Sequence, residues 1–297
     1  MKDFGKILVY LCGVLVGGAL LAPPLYWAAQ GLLGAGWLLV LKKYAFQKYF
    51  NRSLLVSAVV LLWPLVRWLG VKGWVPPVFG RDSRGWVRLA GGFTLGAGAM
   101  AVLGGGYVWT GCYRLEGVPE WAVWAKALCT GMVVGLLEES LFRGAISGLI
   151  ERGRGGAMAL WATSGLFAIV HFLKPDPSIK VAAVGWTSGF ELVPHMFHQF
   201  SQPLLLLGGF GTLLVFGLVL GLAAARTGSL WMSIGLHAGL VFVKVVFAKG
   251  TERVFEKWPW VGQELQIGLA PVLVLALVGA VVWGLGAGRS REGPARP

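Results

Sequence analysis

Residues 131–150 read GMVVGLLEESLFRGAISGLI, an apolar helical stretch that carries Glu138, Glu139 and Arg143 in its middle. Each ionisable side chain at the centre of a membrane span costs about 2.5–3.5 kcal/mol on insertion scales, so such residues are functional candidates by default. At about 100° per residue, Glu139 and Arg143, four apart, fall about 40° from one another on the helix, with the acid on the N-terminal side. They can pair and largely cancel, the bland reading being a buried ion pair that only fixes helix register. Glu138 points about 100° away from Glu139 and about 140° from Arg143. It is a candidate general base, and the bland alternative is a protonated carboxyl hydrogen-bonded inside the bundle.

The rest of the chain supports a membrane setting for that helix. Of 297 residues, 56% are apolar and only 13% are charged, against about 25% charged in soluble domains. With about 20 apolar residues needed per crossing, the composition suits about eight helices: 7–29, 53–71, 89–110, 121–150, 157–173, 204–225, 229–248 and 267–287. The fold class is therefore all-α, a polytopic membrane helical bundle with an intramembrane site. Lys2 and Lys6 before an apolar run also fit a signal peptide, but Pro23 and Pro24 occupy the region where small residues would be cleaved, so an uncleaved first span is expected. The short apolar segment 31–41 suits an interfacial or re-entrant piece.

Glycines recur four apart at 13/17, 92/96, 131/135, 144/148, 217/221 and 235/239. Small faces of this kind let helices approach closely where lipid offers no hydrophobic drive. One membrane domain is expected, divided as 1–120 N-terminal helices, 121–248 core helices, and 249–297 a last helix and polar tail. The charge of +13 lies in short blocks between apolar runs, as membrane anchors do, and no nucleic-acid partner is expected. With the N-terminus inside, connecting segments carry 11 Lys and Arg inside and 10 outside, which leaves orientation open. Cys12, Cys112 and Cys129 suggest neither a disulfide framework nor a thiolate metal site.

Two histidines join the acids on neighbouring apolar helices. FAIVHF places Phe167 and His171 one turn apart, and SLWMSIGLHAGLVF carries His237. Glu138-Glu139-x-x-x-Arg143, then Phe167-x-x-x-His171, then His237 after Ser-Leu-Trp resembles the CAAX protease and bacteriocin-processing (CPBP, or Abi) family of glutamic intramembrane proteases, over roughly residues 121–248. The resemblance implies that Glu138 and His171 activate a water for attack on a peptide carbonyl and that His237 faces the oxyanion. It also implies that Glu139 and Arg143 are a supporting pair and that Phe167 packs beside them. Its substrates would be prenylated C-terminal tails, small peptides or membrane proteins within the bilayer.

One position departs from the family pattern. Val241 stands where the family often has Asn, and loss of one oxyanion donor typically costs about 10²–10³ in rate. Lys244 lies on nearly the same face and is one possible substitute donor, with snorkelling to the interface as its ordinary role. This departure favours an alternative, a weak or inactive member serving as a membrane immunity or peptide-binding scaffold.

Other chemistries lack their motifs: there is no His-Glu-x-x-His, no Gly-x-Ser-x-Gly, no phosphate-binding Gly-Lys loop, and Asp3, Asp82 and Asp176 all lie outside the spans. No cofactor is expected, the alternative being a divalent metal such as zinc on Glu138, His171 and His237. The connection 174–203, with Trp186, Phe190, Phe197 and Phe200, suits an amphipathic surface segment, either as an anchor or as a lid. His195 and His198 within it could reach a metal, without an evident third ligand.

Overall fold

The computed structural model describes residues 2–34, 45–68 and 82–286; residues 35–41 of the segment 31–41 and the tail from 287 lie outside them, while 31–34 belong to the first helix. The helices are α1 (Lys2–Gly34), α2 (Phe46–Trp68), α3 (Gly85–Trp109), α4 (Trp121–Glu139), α5 (Ser147–Arg154), α6 (Gly156–Val170), α7 (Ser188–Leu192), α8 (Pro203–Thr227), α9 (Trp231–Gly250) and α10 (Leu269–Gly286). A π-helix, Ser140–Ile146, joins α4 to α5, and a 3₁₀ helix, Pro194–Ser201, follows α7.

The fold is all-α. Among the described residues five helical stretches are long and apolar enough to cross a bilayer: Gly5–Gly34, Gly85–Trp109, Trp121–Arg154, Pro203–Thr227 and Trp231–Gly250. Gly156–Val170 and Leu269–Leu285 are apolar but shorter. These stretches do not by themselves confirm the expected count of eight. The strands β1 (Tyr113–Leu115) and β2 (Thr251–Arg253), which follow α3 and α9, pair antiparallel with Tyr113 opposite Arg253.

The chain divides into two compact units, Met1–Trp74 with His171–Gln202, and Val75–Val170 with Pro203–Pro297. In the first, α1 and α2 run antiparallel, Gly13 facing Leu61 and Gly17 facing Ser57. Tyr10 donates to the Ala58 carbonyl at 2.7 Å. Connection 174–203 is amphipathic here: Leu192 and Met196 are buried with Ala19, Ala22, Phe46 and Phe50, while Trp186, Phe190, Phe197 and Phe200 stay exposed.

The second unit is organised on glycine seams. Gly92 faces Met232, Gly96 faces Leu236 and Gly104 faces Phe247, so α3 and α9 run parallel. Reciprocally, Gly235 and Gly239 face the carbonyls of Leu89 and Phe93. Helix α4 packs on another side of α9 in the opposite direction, Gly131 against Ala238 and Gly135 against Ile234. Helices α6 and α8 are likewise antiparallel, Gly217 against Ser164 and Gly221 against Leu160. Not every spaced pair is used, for a side chain at Gly148 would meet nothing.

Backbone contact explains why these seams demand glycine: a Cβ at Gly235 would collide with the Leu89 carbonyl, whereas one at Gly98 would enter open space. Gly235→Ala should therefore destabilise the purified protein by about 1–3 kcal/mol, the usual cost of overpacking. Gly98→Ala should be neutral or slightly stabilising. Thermal unfolding in detergent compares the two, and equal midpoints would show that the seam does not hold α3 to α9.

Candidate active site

Helix α9 enters the second unit between α3 and α4 and brings His237 about 9 Å along its axis from Trp231. Because α4 is antiparallel to it, the end of α4 arrives at the same level, with Gly135 beside Ile234 and with Glu138 and Glu139 one turn on. There the α-helix widens into the π-helix Ser140–Ile146, which carries Arg143 at its centre. Insertions of this kind recur at functional sites because they re-aim side chains without ending the helix.

Glu139 is fully buried, and Arg143 and His237 nearly so. Arg143 Nη1 donates to Glu139 Oε1 at 3.1 Å, and Arg143 Nη2 donates to the Gly217 carbonyl of α8 at 3.0 Å. His237 Nδ1 lies 2.9 Å from the same Glu139 oxygen. An ionised carboxylate that already receives the arginine has no proton to offer, so hydrogen-bond logic assigns the proton to His237 Nδ1. The other ring nitrogen, Nε2, faces Glu138 Oε2 at 4.0 Å. The Glu138 side chain is 19% exposed and that of Glu139 is 0% exposed, so of the two acids Glu138 is the more accessible.

Aromatic rings frame this polar group. Phe167 stands edge-on to His237 at 5.9 Å and Phe216 at 5.2 Å. Arg143 Cζ lies 4.5 Å from the Phe167 ring centre, within cation–π range. Phe142 meets Phe167 at 5.3 Å in a T-shaped contact. The rings leave little room for the imidazole to turn and keep bulk water from the ion pair, which strengthens each charge interaction inside.

The structure thus brings Glu138, Glu139, Arg143, Phe167 and His237 together in one unit. His171 directly follows α6 in a turn, is partly buried, and belongs to the other unit. Val241 is apolar and partly buried on α9. Lys244 pairs with Glu264 at 3.4 Å, about 10 Å along α9 from His237. It is therefore taken up by the segment before α10 and is not a substitute oxyanion donor, since the rise of seven residues carries it away even though the face is shared. His198 lies 3.9 Å from Asp176, and among the described residues no group of three His, Cys, Asp or Glu side chains is arranged to hold a metal. Phe142, Phe216 and the Gly217 carbonyl are site components that the motif reading did not single out. Gly217 had a signal as half of a small-residue pair, whereas Phe216 had none among so many apolar neighbours.

Residues 119–243, from just before α4 into α9, match a family model described as type II CAAX prenyl endopeptidase Rce1-like. The chain carries an Rce1-like domain of the CPBP family. No curated protein and no solved structure matches it. The Rce1-like domain contains the acid pair, Arg143, Phe167, His171 and His237, and its family is one of CAAX-type proteases integral to membranes. The protein is accordingly a multi-pass membrane protein.

Arg143 supplies the guanidinium that pairs with Glu139. Removing one partner of a buried pair costs about 3–5 kcal/mol, because the other charge is left uncompensated. Arg143→Met should lower stability by that order, and adding Glu139→Gln should recover a large part of the loss. A double-mutant cycle on thermal midpoints measures the coupling, and additive effects would mean that the two groups do not pair.

Proposed function

We propose that the Rce1-like domain hydrolyses a peptide bond of a membrane-associated or prenylated, CAAX-type substrate by a water that Glu138 activates with His171. The observation that carries this reading is the contrast between two adjacent acids, one buried and bonded at once to Arg143 and His237, the other partly exposed and facing His237 Nε2. The role of His171 rests on the family resemblance.

In this mechanism Glu138 takes a proton from the water as its oxygen attacks the carbonyl carbon, and the carbonyl oxygen becomes an oxyanion. His237 Nε2–H stabilises that oxyanion. Glu138 then returns the proton to the leaving nitrogen as the C–N bond breaks. Because Nδ1–H is already committed to Glu139, an Nε2–H donor requires the imidazolium. Two carboxylates, one guanidinium and one imidazolium then sum to zero charge, which suits burial in an apolar bundle. Glu139 and Arg143 act as positioning residues: they hold the imidazole at its orientation and supply the counter-charges. We read the chemistry as metal-free; a zinc-dependent variant is the alternative, and inhibition by a chelator would overturn this part of the reading.

Val241 favours a second reading, a peptide-binding or immunity scaffold with little turnover, since a valine cannot donate to an oxyanion. Reconstituted protein and an isoprenylated peptide separate the two. Glu138→Gln should abolish product while leaving the thermal midpoint near that of wild type, and full cleavage by this variant would remove the hydrolytic mechanism.

His237→Gln keeps an amide donor but loses the cationic one, so it should turn over about 10²–10³ more slowly. Wild-type turnover by that variant would remove His237 from the oxyanion role.

A further inference from the structure

Among the described residues, the buried polar atoms of the second unit that make no hydrogen bond within the protein include Glu139 Oε2, Arg143 Nε and Ser164 Oγ. They share one neighbourhood. Glu139 and Arg143 are the two halves of the ion pair. Ser164, fully buried on α6, packs directly on Gly217 of α8, where an ideal Cβ would stand 3.2 Å from the serine hydroxyl oxygen. The Gly217 carbonyl is the one that receives Arg143 Nη2.

Ser164 is also unusual beside its neighbour. A hydroxyl inside a helix ordinarily donates to a carbonyl one turn back, and Thr163 does so to Ala159 at 2.6 Å. Ser164 makes no such bond and keeps both its proton and its lone pairs available.

We propose that Glu139 Oε2, Arg143 Nε and Ser164 Oγ bind one ordered water molecule at the back of the ion pair. The atoms comprise an acceptor, a donor and a group that is either. Water complements that set: it accepts from Arg143 Nε, donates to Glu139 Oε2 and completes a third bond with Ser164. Three bonds is the usual number for a buried water. An anion would meet the Glu139 carboxylate and a metal cation the Arg143 guanidinium, so a small neutral molecule with both donor and acceptor capacity fits best. Such a water satisfies the second oxygen of Glu139, so that the first stays committed to Arg143 and His237. The site follows from packing and hydrogen-bond accounting alone and stands whether or not the domain cleaves peptides.

The test is Ser164→Ala in the full chain, in detergent or nanodiscs. A buried hydroxyl with no partner is destabilising, so deleting it would leave the thermal midpoint unchanged or raise it. A hydroxyl that holds a water is stabilising, and its deletion should lower the midpoint by about 2–4 °C. An experimental structure that resolves ordered solvent provides the second measurement. Density within hydrogen-bonding distance of all three atoms in the wild type, weakened or displaced in Ser164→Ala, is the expected result. A rise or no change in the midpoint, or a solvent-resolving map without that density, overturns the proposal.

Discussion

A single carboxylate oxygen, Glu139 Oε1, receives both the Arg143 guanidinium and the His237 Nδ1 proton, and the rest of the second unit is arranged to make that convergence possible. Burying an ion pair is rarely a source of net stability, since desolvation consumes most of the attraction. What the pair supplies is orientation. Three helical stretches, the end of α4, the π-helix and α9, must hold their relative positions to within a hydrogen bond, and α8 is tied to the same group through the Gly217 carbonyl.

Glycine is what lets the helices come that close. Gly131 and Gly135 bring α4 onto the backbone of α9 just where His237 leaves it, while Gly92, Gly96, Gly235 and Gly239 lock α9 to α3 from the other side. In lipid, association depends on packing and polar contacts, so the same close approach that gains dispersion energy also sets the distance between Glu139 and His237. Phe167 and Phe216 then enclose the imidazole, and Phe167 also lies against the Arg143 guanidinium. Packing and electrostatics are one design here, because loss of a seam would move the charges apart.

The two glutamates, adjacent in sequence, differ in their surroundings. Glu139 is enclosed and occupied, which suits it to orient a partner. Glu138 is partly exposed and faces Nε2 of His237, which is what the proposed mechanism asks of the residue that activates water. The same helical step of about 100° that separates them on α4 delivers one to the interior of the unit and the other to its accessible side.

Much of this was legible in the chain itself. Hydropathy declared helices in a membrane, the four-residue spacing of Glu139 and Arg143 declared their pairing, and the order of the Glu-Glu-x-x-x-Arg, Phe-x-x-x-His and His motifs declared the family. These are local properties, set by the period of a helix and the cost of charge in lipid. Only the tertiary structure could decide that α3 and α9 run parallel, that Ser140–Ile146 is a π-helix, that Glu139 serves His237 as well as Arg143, and that Lys244 leaves for Glu264. It also gathered residues 171–202, which lie inside the matched family segment, into a unit with the first two helices. Those outcomes depend on which helix faces which and at what height, and a one-dimensional pattern carries no information about distances between segments that meet only after packing.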